Sequence, residues 1–164
     1  MNAVAKLQPA EGTDSWVTPA AIAEALGVFD LDPCSNARSH IRAEVRCSLD
    51  EPDEMFRDGL AFDWLSMAVF CNPPYSDVMP WAVKLAAHDG PWCALLKLDP
   101  TTRWWAELMR ATPTVAPFRR RLRFESGTGK DMTANFPSVL VFSAWRPPVA
   151  LRPMLWLPTY AEAA

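Results

Sequence analysis

The stretch Met67-Ala68-Val69-Phe70-Cys71-Asn72-Pro73-Pro74-Tyr75 decides how this chain is read. Its first five residues are an uncharged apolar run and read as a buried strand. Asn72 and two prolines then end the strand in a stiff turn, and Tyr75 follows with a flat aromatic face. Asn and Pro are also ordinary turn residues. The placement directly after a buried strand gives the four residues a chemical use as well. An exocyclic amine on a heteroaromatic ring is a poor nucleophile, because its lone pair is delocalised into the ring. The amide oxygen of Asn72 and the backbone carbonyl of Pro73 can each accept one of its two N–H bonds. That pairing favours a more tetrahedral nitrogen and aims the lone pair at an electrophile, so positioning and electrostatics carry the catalysis. The prolines fix the carbonyl in advance, and Tyr75 offers a surface for a base rotated out of a duplex.

Outward from this motif, strand and helix patterns alternate. Thr18-Pro19 before Ala20–Leu26, with Gly27 beyond, reads as a short helix capped by Thr18 and stopped by Gly27. Val28–Asp32 reads as a strand, 78–88 as a helix ended near Gly90, and 92–98 as a buried strand. Asp99-Pro100 opens a helix carrying Trp104, Trp105, Leu108 and Met109. Segments 114–118, 119–124 and 138–145 then read as consecutive strands. The predicted fold is α/β: a single-domain Rossmann-like sheet over residues 14–145, parallel strands first and a strand-rich antiparallel C-terminal part. Residues 1–13 read as a leader and 146–164 as a Pro-punctuated tail. Such sheets bind ligands beyond the C-terminal ends of their strands, and Asp32-Pro33-Cys34 and Asn72-Pro73-Pro74-Tyr75 both fall there.

Composition bounds the function. A chain of 164 residues, half hydrophobic and with eight Trp, is one compact domain with a core. No run is long enough to span a bilayer, and the N-terminus lacks the pattern of a secretory signal. Four cysteines without Cys-x-x-Cys spacing suggest reduced thiols and a cytoplasmic protein. Cys34, His40 and Cys47 lack a fourth ligand for zinc, so no metal is expected. The net charge of −3 requires any nucleic-acid contact to come from a local patch. Arg119, Arg121 and Arg123 supply one if 119–124 is a strand, since alternation then sets them on one face. They suit a phosphate track, or an edge strand guarded by charge. Lys130 lies in the polar segment 125–136, which reads as a loop reaching the groove.

The chain resembles the phage-type DNA N6-adenine methyltransferases, a Dam-like family. The resemblance runs from Trp16 to about Trp145. It rests on Trp16-Val17-Thr18-Pro19, Phe29-Asp30-Leu31-Asp32-Pro33, Asp58-Gly59-Leu60 with Trp64, Asn72-Pro73-Pro74-Tyr75-Ser76, Arg121-Leu122-Arg123-Phe124 and Ser138-Val139-Leu140-Val141-Phe142, in that order. It implies methyl transfer from S-adenosylmethionine to the N6 amine of adenine in double-stranded DNA, with no obligate protein partner and a host-cell cytoplasmic location. Asn72, Pro73, Pro74 and Tyr75 become the catalytic residues. Asp32, Pro33 and Cys34 form the loop around the methionine part of the cofactor. Asp58 accepts from its adenine amine, and Trp16, Thr18 and Pro19 close over it. Asp32 as a cap of its own turn, Thr18-Pro19 as a helix start and Asp58 as a turn residue are the structural alternatives. The ribose acid stays open among Asp50, Glu51, Asp53 and Glu54. Asn36-Ala37-Arg38 stands where the wider superfamily has a Gly-rich loop, which keeps a catalytically inactive DNA-binding relative in play. Asn-Pro-Pro-Tyr alone also serves RNA adenines and protein glutamines.

Overall fold

The computed structural model describes residues 16–125, 131–143 and 147–156. Helix α1 (Ala20–Leu26) is followed by β1 (Val28–Asp32), β2 (Arg42–Arg46), a 3-10 turn at Glu54–Phe56 and β3 (Val69–Cys71). Helix α2 (Met79–Ala87), β4 (Trp92–Lys97), α3 (Arg103–Met109) and β5 (Thr114–Pro117) come next. The chain then forms β6 (Arg123–Glu125), β7 (Asp131–Thr133), β8 (Ser138–Phe142) and a 3-10 segment, Val149–Met154. Six strands make one sheet in the order β2-β1-β3-β4-β8-β5, and β6 pairs with β7 in a separate hairpin. The architecture is mixed α/β and consistent with a Rossmann-like methyltransferase sheet.

Strand pairing refines the expected antiparallel portion. β2, β1, β3 and β4 are mutually parallel, and β8 runs antiparallel to both β4 and β5. β5 therefore points the same way as β4. The antiparallel character rests on β8 and the β6–β7 hairpin. Chain order reverses between β1 and β3: β1 leads to β2 on one side, whereas β3 leads to β4 on the other. Sheets of this kind bind ligands at such a switch point, which here falls between Asp32-Pro33 and Asn72-Pro73.

The core forms two layers, and alternation along β3, β4 and β8 assigns their residues to one or the other; β1 departs from it, since the N–H groups of Asp30 and Leu31 both bond to the Ala68 carbonyl. Phe29, Phe70, Leu95, Leu140 and Phe142 face α1, the hairpin and the C-terminal segment. Leu31, Val69, Trp92, Ala94, Leu96 and Val141 face α2 and α3. Leu151 and Leu155, in the stretch read as a tail, are buried in the first layer. Among Trp81, Trp92, Trp104 and Trp105, all read as core, Trp104 is half-buried and the others are buried. Gly27 ends α1 at φ +90°, where a side chain would be strained.

Two local readings are corrected, and one strand, β2, has no counterpart among the expected elements. Pro19 occupies the N-cap of α1, and its carbonyl accepts from Ile22 and Ala23 N–H; the Thr18 hydroxyl is not the cap. β2 carries the pattern Arg-Ala-Glu-Val-Arg with no fully buried residue, so the apolar signal of a strand is missing from this sheet edge. Residues 119–124 are not one strand. Phe118 bridges to Leu155, and the Arg119 N–H bonds to the Met154 carbonyl. The C-terminal segment thus captures the chain after β5, and regular pairing resumes only at Arg123.

Candidate active site

Asn72 stands at the C-terminal end of β3 on the α1 face, two residues beyond Phe70. Its amide nitrogen donates to the Trp16 carbonyl at 2.8 Å and to the Thr18 hydroxyl at 3.4 Å. Its amide oxygen is buried and has no hydrogen-bond partner among the described residues. A buried acceptor left open is unusual in a folded protein. Here the amide is pinned by its nitrogen end, so the oxygen holds one direction before any ligand arrives.

Trp16 and Thr18, read from sequence as closing over a cofactor, make these contacts to the Asn72 amide. Val17 between them is held by a backbone bond from its N–H to the Glu125 carbonyl. Trp16 also packs edge-on against Phe124 and Phe136, with ring centroids 5.4 and 6.2 Å apart. Tyr75 is turned inward. It is 9% exposed, its hydroxyl donates to the Leu95 carbonyl at 3.4 Å, and its ring meets Phe136 edge-on at 5.2 Å. Burial pushes its phenol pKa up. The ring therefore presents no free face for stacking in this conformation.

Across the switch point, the Asp32 carboxylate is 2% exposed. One oxygen accepts from the Cys34 N–H at 3.2 Å and the other from the Ser39 hydroxyl at 3.3 Å. Burial pushes its pKa up to about 6, against the opposing effects of the Ser35 hydroxyl, these two hydrogen bonds and the Arg46 charge. The Ser35 hydroxyl lies close to Asp32 but makes no hydrogen bond of good geometry, and it is buried without a partner. Asp32 thus orders its own loop, as the capping alternative holds. Pro33 is buried. The Cys34 sulfur lies 3.6 Å from that of Cys71, and burial with this neighbour keeps the Cys34 thiol well above its ordinary pKa.

The Asp58-Gly59 turn is pressed onto this loop. A β carbon on Gly59 would sit 1.9 Å from the Pro33 carbonyl oxygen, so only glycine allows the approach. Asp58 is exposed, and one of its oxygens accepts from Leu60 and Ala61 N–H at 2.9 and 3.2 Å, as in an ordinary Asx turn. The turn is anchored from behind. Trp64 Nε1 donates to the Gly59 carbonyl at 2.8 Å, and the Lys84 ammonium donates to the Leu60 and Phe62 carbonyls at 2.7 and 2.6 Å. Two turns, one holding Asp32 and the unpartnered buried Ser35 hydroxyl and the other Asp58, are therefore packed together at Pro33 and Gly59. That donor set fits a zwitterionic ligand carrying an adenine.

Arg119, Arg120, Arg121 and Arg123 are all exposed and line one groove with Pro19, Ile22 and Met154. Arg120 was not anticipated, because alternation had assigned it to the opposite face. Arg119 is partly committed, donating to the Leu155 carbonyl at 2.9 Å and lying 4.5 Å over the Trp156 ring. Arg121 donates to the Ala134 carbonyl at 3.4 Å. None of the four is ion-paired with a carboxylate among the described residues. Lys130 lies outside the described residues.

Residues 6–154 match the family model described as DNA N-6-adenine-methyltransferase (Dam). The chain belongs to this family. A comparison with curated proteins finds no match. The Dam match takes in every element from α1 to the C-terminal 3-10 segment, including Leu151, which the motifs alone left outside.

Two further features of this Dam-family chain gave little sequence signal. The Glu125 carboxylate meets Arg38 at 3.5 Å and His40 at 3.0 Å, tying the hairpin to the loop after β1. Phe136 touches Trp16, Tyr75 and Phe124 although it stands alone in a polar stretch. Among the described residues, no cluster of three His, Cys, Asp or Glu side chains could hold a metal ion, and no helix is long and apolar enough to cross a membrane.

Proposed function

We propose that this chain methylates the exocyclic N6 amine of adenine in double-stranded DNA with S-adenosylmethionine as donor. One observation carries the reading: the amide oxygen of Asn72 is buried, oriented and without a partner. An N–H of the flipped base fills that vacancy, and the Pro73 carbonyl takes the second. The amine nitrogen is then held with its lone pair clear of the ring, and Trp16 and Thr18 keep the amide from turning. Family membership supports the activity class.

The donor, when bound, supplies a methyl group on a sulfonium sulfur. Asp32 and Ser35 take its ammonium and carboxylate ends, and the free oxygen of Asp58 takes its adenine amine. Pro33 and Gly59 keep these two half-sites together. Tyr75 leaves its inward position to stack on the incoming base. The four arginines take backbone phosphates, which position the duplex without reading its sequence.

Incubation with labelled donor and unmethylated duplex DNA, followed by digestion to nucleosides, tests this reading. The label is expected in N6-methyl-2′-deoxyadenosine from the DNA, and not in N6-methyladenosine from RNA of the same sequence. Label found in RNA alone, or in no nucleic acid, would overturn it.

A further inference from the structure

The α1 face of the sheet carries two more polar groups beside Asn72, and the reaction as described uses neither. Lys97 lies two residues beyond Leu95 at the end of β4, and Ser138 two residues before Leu140 at the start of β8, so both point to the same layer as Asn72. The two are direct partners across the β4–β8 ladder, which sets their side chains together on one face. Because β3, β4 and β8 are neighbours, the three groups stand side by side along one end of the sheet.

The Lys97 ammonium lies 5.2 Å from the Tyr75 ring centroid and 4.7 Å from that of Phe136. Among the described residues it meets no carboxylate or carbonyl; aromatic faces are its partners. The Ser138 hydroxyl is buried and also without a hydrogen-bond partner. Ser143, half-buried just beyond the same strand, differs in that its hydroxyl accepts from the Trp92 N–H at 2.8 Å. An open ammonium and an open hydroxyl are both donors, and together they call for an anionic oxygen.

We propose that Lys97 and Ser138 form a phosphate subsite for the nucleotide whose base reaches Asn72. The subsite deepens the function proposed above and rests on it. Lys97 exchanges two cation–π contacts for a charge-assisted bond to a backbone phosphate flanking the flipped adenosine. Its departure from the rings uncovers Ser138 and frees Tyr75 to turn toward the base.

The test uses the full chain and a duplex in which the methylated adenine has been located by sequencing. A neutral methylphosphonate replaces the phosphate on either side of that nucleotide in turn. For the wild-type protein, one of the two replacements is expected to raise KM for DNA roughly tenfold, the scale of one charged hydrogen bond. Lys97→Met should raise KM on the unmodified duplex by a similar factor and gain no further loss from the same methylphosphonate. Lys97→Arg should restore most of the difference, Ser138→Ala should show a smaller loss of the same kind, and donor affinity should not move in any of them. Unchanged KM in Lys97→Met, or losses from variant and methylphosphonate that simply multiply, would overturn the subsite while leaving the methyltransferase reading standing. Wild-type protein that methylates no duplex at all would instead remove that reading, and the subsite with it.

Discussion

The side-chain amide of Asn72 is hydrogen-bonded to the backbone carbonyl of Trp16 at 2.8 Å, joining the end of β3 to a segment 56 residues earlier. A carbonyl can only accept, so the bond fixes which end of the amide is nitrogen and leaves its oxygen buried and unpartnered. The Thr18 hydroxyl adds a weaker contact at 3.4 Å. Thr18→Val keeps the shape of the side chain and removes this partner. It is expected to lower the rate of methyl transfer severalfold with little change in donor affinity, read by single-turnover kinetics and calorimetric titration. Loss of donor affinity with an unchanged rate would return Thr18 to the cofactor side.

Tyr75 is packed as a core residue in the free protein, and that separates two substitutions. Tyr75→Ala removes a buried ring and should cost about 3–5 kcal/mol of stability as well as the engagement of the base. Tyr75→Phe loses the hydroxyl bond to Leu95, worth about 0.5–1.5 kcal/mol, and should keep most activity. Urea unfolding beside turnover checks both. Equal losses of activity in the two variants would assign the role to the hydroxyl.

Asp32 gives a pH dependence with a definite sign. Its folded pKa of about 6 lies above the ordinary 3.8, so between about pH 4 and 6 the folded chain binds more protons than the unfolded one. The Asp32 contribution to stability therefore falls as pH rises through that window, by up to about 3 kcal/mol for a shift of some two units. Asp32→Asn should remove this slope, and unfolding curves of the pair at pH 4, 5.5 and 7 would reveal it. Donor affinity should run the other way in the wild type, strengthening from pH 5 to 7 as the carboxylate becomes available to an ammonium. Equal donor affinity across that range would exclude the ion pair.

The arginine groove yields the prediction most changed by the structure. Arg120→Ala, Arg121→Ala and Arg123→Ala should each weaken DNA binding on all sequences and lower the slope of log affinity against log salt by about one unit. Arg119→Ala also loses its bond to Leu155 and its stacking on Trp156, so its thermal stability should fall as well. Unchanged salt slopes in all four would make the groove a charged surface unrelated to DNA.

The sequence reading succeeded where burial decides structure. β1, β3, β4 and β8 are apolar or alternating, and the ends of β1 and β3 placed Asp32 and Asn72 at the same end of the sheet. It failed where tertiary contacts overrule local pattern. Arg119–Leu122 alternates like a strand, but the partner that would pair with it is displaced by Leu155 and Met154, far along the chain. β2 is an exposed edge and carries no apolar signal. The Thr18 hydroxyl, legible as a helix cap, is drawn to Asn72 by a contact that no spacing encodes. Lys97 and Phe136 owe their place beside Tyr75 to the pairing of β4 with β3 and β8, which no local pattern encodes.

The most direct measurement pairs donor affinity with transfer for Asn72→Ala in one preparation. The account predicts transfer to duplex DNA lowered by at least about 10²-fold, the scale seen when a positioned polar group is removed from a reacting centre. Donor affinity should stay within about twofold of wild type, because the role proposed for Asn72 is toward the target amine. Near-normal turnover by Asn72→Ala would contradict the central claim.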